Sequence, residues 1–503
     1  MSGGAVVLPY GESAFYLDLG VESAPDRAAR TFAAAAALRQ VFPGSDVVVG
    51  GGVVVVTNVS HSAEVEQAIT AAVAGAARVP SSGQTHVIPV VYEGPDLESI
   101  AGAAGLSAEA VVRLHAEREV TVELVGFLPG FGYCGPIDPR LVLPRRGSPR
   151  PRVPAGSVGI AGTFTGVYPF DSPGGWNLLG RADAASLFDP GRERPILLTP
   201  GDRVRFEPAA AGDLPAGPAT RAVVQNEQSS RALVVEAAPA GATVQDCGRP
   251  GQLARGLPPS GPLDPETHVA ANEAVGNPPD AAAIEVPLGA LVVRARGEAW
   301  ISVDGAAPVH LADGESLRVD EGPRAVRYLA ARGGIDVPKA LGARATLLVA
   351  RLGGAGGRVL RKRDVLPLGD PEGAGTQPMQ PQTPPEKTEI ATLEIDEGPH
   401  RSRFPADALD VLLASTFTVS RLGDRVGQRL DGVKIPRQGP DLALPAPMMR
   451  GAVQVTTDGT PIVLGPDHPT TGGYPVLVVV RRSSLGALAR RRPGEPIRFV
   501  RGA

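Results

Sequence analysis

The sequence predicts a mainly β protein with some helix, divided into at least two domains. At 503 residues the chain exceeds the roughly 250 to 300 residues at which one hydrophobic core stops growing. Its 63 glycines and 51 prolines follow no fixed period and only 4% of residues are aromatic, so many turns must separate short elements. Alternating runs such as Val120-Thr121-Val122-Glu123-Leu124 and Ala299-Trp300-Ile301-Ser302-Val303 suit strands with one buried face. That density of turns favours barrels or sandwiches over helical bundles.

The elements follow in order. Small and apolar residues recur at helical spacing from Asp26 to Gln40 and again from Ser62 to Ala77, each time after a strand-like stretch. Two such units within residues 1–84 predict a small α/β domain, because each helix must cover a sheet face to bury its apolar stripe. Val87-Ile88-Pro89-Val90-Val91-Tyr92 then reads as strand, Asp96 to Ala116 as helix, and the rest as strands and Gly/Pro-rich turns as far as Phe206, which makes 85–210 a second module. Residues 207–222 contain little that could form a core and behave as an extended linker, which places the linker between the halves at 211–231. A second polar, Pro-rich stretch, Gly369 to Lys387, is either a loop within the second half or a boundary in it. Pro200-Gly201-Asp202-Arg203-Val204-Arg205-Phe206 is echoed by Pro493-Gly494-Glu495-Pro496-Ile497-Arg498-Phe499, which suggests that both halves end on the same closing strand.

Composition excludes several functions. A formal charge of −4 offers no phosphate-tracking surface, so nucleic acid is a poor partner. Cys134 and Cys247 are too few for a disulfide framework, and the start has no basic region followed by an apolar stretch. The run Val47 to Val56 is too short to span a bilayer. A cytoplasmic protein without membrane contact is expected. His61, His86, His115, His268, His310, His400 and His468 lack the paired spacing of zinc sites, so no metal site is expected. No Walker-type phosphate loop and no Gly-x-Ser-x-Gly elbow occur. Gly130 to Gly135 matches Gly-x-Gly-x-x-Gly, but Pro129 and Pro136 bracket it and forbid the helix a dinucleotide site needs.

Four regions carry chemistry. Gly126-Phe127-Leu128-Pro129-Gly130-Phe131-Gly132-Tyr133 is a shaped loop whose glycines admit a ligand or a packed ring and whose rings supply rigid contact area; the plainer reading is a turn that plugs a barrel end. Pro149-Arg150-Pro151-Arg152-Val153-Pro154-Ala155-Gly156-Ser157 places two arginine forks beside a rigid turn, followed by Ser172-Pro173-Gly174-Gly175-Trp176. In the second half Gln245-Asp246-Cys247-Gly248-Arg249, Pro259-Ser260-Gly261-Pro262-Leu263-Asp264, Asn272 and Asn277 set polar groups among glycines. Asp246 and Asp264 suit an acid, a base or a metal ligand, and Arg249 suits a structural pair with either one. Glu285, Arg332-Gly333-Gly334-Ile335, Asp424-Arg425 and Thr470-Thr471-Gly472-Gly473-Tyr474 complete the set.

Over residues 5 to 206 these runs resemble the B-type subunit of bacterial ATP-dependent 5-oxoprolinase, and over 232 to 501 they resemble its C-type subunit. The same families are described as KipI/KipA-like, as allophanate hydrolase subunits 1 and 2, and as biotin-dependent carboxyltransferase-like. The resemblance implies an α+β, mainly β architecture in which a small α/β domain precedes several cyclophilin-like β-barrels, with the second half divided into barrels at 232–372 and 373–503. It implies a hydrolase component that binds ATP, with magnesium, and opens 5-oxo-L-proline to L-glutamate together with a separate A-type subunit. A homo-oligomer is compatible with it. Under that implication His115, Asp246, Asp264 and Arg249 are the catalytic candidates. Arg150, Arg152, Arg249 and Arg425 are the candidate contacts to phosphate or carboxylate. Phe127, Pro129, Gly130, Phe131, Ser157, Gly174, Gly175, Trp176, Gln245, Ser260, Asn272, Asn277, Glu285, Thr471, Gly472, Gly473 and Tyr474 are the candidates for binding. The glycine-framed segments of the two halves are expected to meet around one small molecule.

Three positions depart from the family pattern: Phe417 stands where tryptophan is common, and Gly423 and Gln428 where serine and tyrosine are usual. Pro447-Met448-Met449-Arg450 also lacks the familiar glutamate. Two other functions fit the same resemblance. One is a carboxyltransferase or allophanate hydrolase-like component of a urea carboxylase-type system; the chain has no Ala-Met-Lys-Met run to carry covalent biotin, so a separate carrier is required. The other is a non-enzymatic histidine-kinase-binding regulator.

Overall fold

The computed structural model describes residues 5–76, 83–214, 229–371, 380–382 and 387–502. The chain begins with a four-stranded antiparallel sheet ordered Val6–Pro9, Ala14–Asp18, Val53–Thr57, Val47–Val49. Helices Arg27–Val41 and Ala63–Ala74 cover one face, where Leu38 and Ile69 join Phe15, Val54 and Val56 in a core. The other face is not open to water. Tyr10, Ala14, Tyr16, Val53 and Val55 pack on Ala446, Met448, Ala452, Val476 and Val479 from the far end of the chain. This explains why the valine run shows no alternation: both faces of the sheet are covered, so both sides of each strand must be apolar.

Polar contacts fix the same docking. His400 Nε2 lies 3.2 Å from the Tyr16 hydroxyl, and the amide of Arg482 donates to Glu12 at 2.6 Å. Asp46, buried against the amides of Ala254, Leu253 and Gly251, has its carboxyl raised above the usual range by burial, which those amides oppose. The first domain therefore grips both parts of the second half.

The single helix expected from 96 to 116 is two, Leu97–Ala104 and Ala108–Ala116. Gly105 adopts φ +66° and ends the first, and the Ser107 hydroxyl accepts from the Ala110 amide to start the second. A glycine C-cap followed two residues later by a serine N-cap is the local signal for the break. The remaining strands of this module form a seven-stranded sheet whose edge brings Arg203–Pro208 beside Thr85–Val90.

The terminal echo has a structural counterpart. Arg203–Pro208 runs parallel to Thr85–Val90 and antiparallel to Val120–Val125. Pro496–Arg501 runs parallel to Ala391–Glu397 and antiparallel to Thr416–Val419, and it completes a closed seven-stranded barrel. Between them lie a four-stranded sheet, which includes Ala232–Ala237 and Val365–Pro367, and a five-stranded sheet, which includes Thr243–Gln245 and Val326–Ala331; they share one core through Leu233, Val244, Val293 and Leu329. The fold is α+β and mainly β, with closed and nearly closed barrels. Most of the expected linker, residues 215–228, and much of the Pro-rich stretch, 372–379 and 383–386, lie outside the described residues. Gln382, between the latter two, donates its amide to Gly305 at 2.7 Å and so rests on the sheets before it.

Candidate functional site

Three loops from three modules converge. Gly126, at φ +145°, leaves room for the second half: a Cβ there would lie 2.1 Å from Thr471 Oγ1 and 2.8 Å from Thr470 Oγ1. Gly256 rests on the same loop, its Cβ position 3.3 Å from the Gly126 nitrogen. The Ser260 amide donates to Pro466 at 3.1 Å and the Arg249 amide to Pro259 at 2.7 Å, which ties the 246–261 segment to the 466–471 loop. Ser260 holds φ +59°, a left-handed conformation that a serine adopts only at a cost.

The polar groups at this junction are buried and incompletely bonded. Ser260 Oγ and Thr470 Oγ1 have no hydrogen-bond partner among the described residues, and the buried Thr471 hydroxyl is turned towards the Tyr133 phenol. Arg249, 2% exposed, donates from Nη2 to the Ala345 carbonyl, while its Nε and Nη1 have no partner among the described residues. Burial pushes its guanidinium down to about 10 although Asp246 and Asp467 pull it up. Buried donors and acceptors without partners are costly, and their concentration here makes this junction the candidate site.

Around them stands a framework whose bonds are filled. Arg425 spans Asp467, at 2.8 Å, and Glu285, and also donates to the Gly261 carbonyl at 2.7 Å. Burial works against this guanidinium, but the two carboxylates outweigh it and hold the group above its ordinary range. Glu285 in turn accepts from the Leu263 amide at 2.8 Å and the Tyr328 hydroxyl at 2.7 Å. Gln245 donates to Thr243 and Thr346, with no partner for its Oε1 among the described residues. Asn272 donates to Ala281, and Asn277 joins Asn272 to Ala331 while accepting from the Gly333 amide. Gly333 and Gly334 line a cavity of about 420 Å³ with Asp246, Cys247, Lys339 and Arg344.

Three proton-handling expectations do not fit this geometry. Asp264 caps helix Pro265–Ala274, accepts from Thr267 Oγ1 at 2.6 Å, and is paired with Arg490 at 2.9 Å in full burial. Asp246 accepts from the amides of Gly248, Arg344 and Ala345 and braces two turns. His115 has both ring nitrogens occupied at 2.7 Å, by Tyr92 and Thr165, and packs on Phe206 away from the junction. The cap at Asp264, followed by Pro265 and Thr267, and the Asp246–Gly248 turn are local signals, but Arg490, Arg344, Ala345, Tyr92 and Thr165 are remote partners that sequence pattern does not expose.

The loop 126–133 packs as the plainer of its two readings expects, with its rings turned into the core. Phe131 packs edge-on against Phe127, Tyr133, Tyr168 and Trp176 in a closed aromatic cluster, with only Phe127 of that set half-exposed. Pro129 and Ser157 are buried, and a Cβ at Gly130 would meet the Leu187 carbonyl at 2.9 Å. At Gly174 it would meet the Tyr168 hydroxyl at 2.7 Å; Gly175 accepts from the Arg146 amide. Arg150 is consumed by Asp96, at 2.7 Å, and Arg152 by Asp171 on the exposed surface. The arginine that does face the junction is Arg145, whose Nη1 lies 3.6 Å from the Cβ position of Gly473. Nothing in its spacing distinguishes it from its three neighbours.

The departures at 417–450 are absorbed by packing. Phe417 packs edge-on against Phe499 with ring centroids 5.7 Å apart, and Gln428 fills the space over Gly423, its Oε1 2.2 Å from where a Cβ would stand. Met448 is buried, and Arg450 donates to the carbonyls of Pro262 and Leu263 at 2.9 Å. Thr471–Gly472 pairs with Ala446–Pro447; Gly472 has Gln454 Nε2 2.8 Å from its Cβ position, and the Tyr474 carbonyl accepts from the same Nε2 at 3.5 Å. Among the described residues no group of three or more His, Cys, Asp or Glu is placed to hold a metal, and no helix is long and apolar enough to cross a membrane.

Buried histidines predict an acid limit on stability. Burial lowers His115 to about 3 and His400 and His468 to about 4. The unfolded chain binds these protons first, so stability is full above about pH 6.5 and falls as pH drops from there towards 4, by up to about 1.4 kcal/mol per pH unit for each group. Melting temperature measured from pH 8 to 4 checks this. A flat profile between 6.5 and 4.5 contradicts it.

The family described as Carboxyltransferase domain, subdomain C and D, matches residues 5–198, and Carboxyltransferase domain, subdomain A and B, matches 255–501. The C-type 5-oxoprolinase subunit of Escherichia coli (strain K12) is 33% identical over 273 residues, 51% of this chain and 87% of that protein. The chain belongs to the carboxyltransferase-domain family as a fusion of B-like and C-like 5-oxoprolinase halves. On the B-like side, the B-type 5-oxoprolinase subunit of Escherichia coli O157:H7 is 55% identical over 128 residues, 25% of this chain; the chain spans 58% of that relative's length. The crystal structure of TTHA0988 is similar along nearly the whole chain, with 34% identity, 97% of this chain and 99% of that one covered, and a TM-score of 0.84. Urea amidolyase of Lachancea kluyveri is 33% identical over 298 residues, 51% of this chain but 16% of that protein.

Proposed function

We propose that this fusion is the combined B and C component of an ATP-dependent 5-oxoprolinase, which opens 5-oxo-L-proline to L-glutamate with a separate A-type subunit. The observation that carries the reading is the junction at Gly126, where buried hydroxyls of the C-like half face the loop of the B-like half beside the unsatisfied Arg249. A lactam carbonyl is a poor electrophile, and ATP overcomes this by placing its γ-phosphoryl group on the carbonyl oxygen. Water then adds to the carbon and the ring C–N bond breaks to free the amine. A second water releases phosphate from the resulting acyl phosphate. Each stage places negative charge near the carbonyl carbon, which preorganised hydroxyl and guanidinium donors stabilise.

ATP and its magnesium enter in this reading as a co-substrate, and the chain's part is the anion-stabilising junction. The test is to mix the purified chain with the A-type subunit, magnesium, ATP and 5-oxo-L-proline and to measure glutamate. ATP-dependent glutamate is expected from the mixture and from neither component alone. Replacing Arg249 with Ala is expected to lower turnover by about 10²- to 10³-fold, the size of losing one such donor; unchanged turnover removes Arg249 from the mechanism.

A second reading has its own support. The carboxyltransferase description of both halves, together with the urea amidolyase relative, favours a component that moves a carboxyl group to or from a biotin borne on another protein. Carboxylation of urea with an added biotin carrier, and no glutamate from 5-oxoproline, supports it.

A further inference from the structure

The segment 145–152 contains four arginines, and three are neutralised. Arg146 and Arg150 share the Asp96 carboxylate at 3.0 and 2.7 Å, and Arg152 takes Asp171 at 2.7 Å. Arg145 has no carboxylate within ion-pair distance among the described residues. Its guanidinium reaches across to the C-like half, with Nη1 3.6 Å and Nη2 3.9 Å from the Cβ position of Gly473. It is exposed, so a dissolved molecule can meet it.

Its surroundings are specific. The phenols of Tyr133 and Tyr168 are raised above their usual range by burial, and the charge of Arg145 opposes the rise in both. Thr471, whose buried hydroxyl is turned towards that Tyr133 phenol, is two residues from Gly473. A Cβ at Gly473 would stand in ordinary van der Waals contact with the guanidinium, so the two halves touch at this point.

We infer that Arg145 is the substrate clamp of the junction: it binds a planar carboxylate on the small-molecule substrate and selects that anionic molecule over a neutral amide. A guanidinium suits this role because its fork engages both carboxylate oxygens at once. The inference rests on the junction being the substrate site of the proposed reaction. It adds what that reading does not contain, a residue that sets the substrate's charge. The carboxylate would lie towards the B-like half and leave the scissile amide near the Thr470 and Thr471 hydroxyls.

The test compares the full-length chain with its Arg145→Met and Arg145→Lys variants. Titration calorimetry uses 5-oxo-L-proline, uncharged 2-pyrrolidinone and inorganic phosphate as probes. Steady-state kinetics are run with the A-type subunit present. Wild type should bind 5-oxo-L-proline about 10- to 100-fold more tightly than 2-pyrrolidinone, the range for one charge-assisted contact. Arg145→Met should erase that gap and raise KM for 5-oxo-L-proline with little change in kcat. Arg145→Lys should restore part of it, and melting temperature should stay put, since the exposed side chain holds no ion pair. An unchanged gap in Arg145→Met overturns the inference while glutamate formation leaves the proposed reaction standing. A rise in KM for ATP alone also overturns it, by assigning the arginine to phosphate. If no glutamate forms but 5-oxo-L-proline still binds in an Arg145-dependent way, the clamp stands and the reaction does not; Arg145-dependent binding of phosphate alone overturns the clamp.

Discussion

Replacing Gly126 with Val should reduce the activity of the reconstituted complex by about 100-fold or more, because displacement of reacting groups by about 1 Å costs that much. Two effects combine. A Cβ at this position would stand 2.1 Å from Thr471 Oγ1, closer than non-bonded atoms can approach, so one loop must withdraw from the other. The backbone at φ +145° is also one that a side chain resists. Overpacking and backbone strain each contribute about 1 to 3 kcal/mol, so the melting temperature should fall as well. Shortening Thr471 to Ala in the Gly126→Ala background should recover part of the stability, since it removes the colliding hydroxyl but not the backbone strain. A Gly126→Val protein with the activity and stability of wild type would mean that the two halves do not meet there in solution.

The second large effect is expected at Arg425. Its guanidinium is 11% exposed and neutralises Glu285 and Asp467, which are 2% and 6% exposed. Arg425→Met leaves two buried carboxylates facing each other, and breaking a buried pair in this way costs about 3 to 5 kcal/mol. Urea denaturation followed by tryptophan fluorescence measures it, with the midpoint expected to drop sharply. Adding Glu285→Gln and Asp467→Asn should return much of the loss, because replacing both sides of a buried pair costs far less than orphaning one. The loss also opens the contact between the nearly closed barrel and the closed one, so activity should fall with stability.

These expectations depend on pairings that local sequence does not contain. The aromatic loop, the closing strands and the helix positions are legible because each is written in residues close to one another: glycine and proline spacing, alternation and caps. His115 misleads for the same reason. A histidine on an amphipathic helix near conspicuous motifs resembles a catalytic group until Tyr92 and Thr165 are found on its two nitrogens. The single run predicted over 96–116 breaks at Gly105, where a left-handed residue satisfies the helix end that the apolar spacing alone carries through.

Residue order alone is enough to establish the mainly β architecture and the B-like and C-like halves. Which charged groups are spent and which are available follows from the folded arrangement. Asp264 is taken by Arg490, 226 residues away, and Glu285 by Arg425, 140 residues away, whereas Arg145 is left facing the junction. Burial and backbone preference are encoded within a few residues, but a charge is neutralised by whatever the folded chain brings beside it.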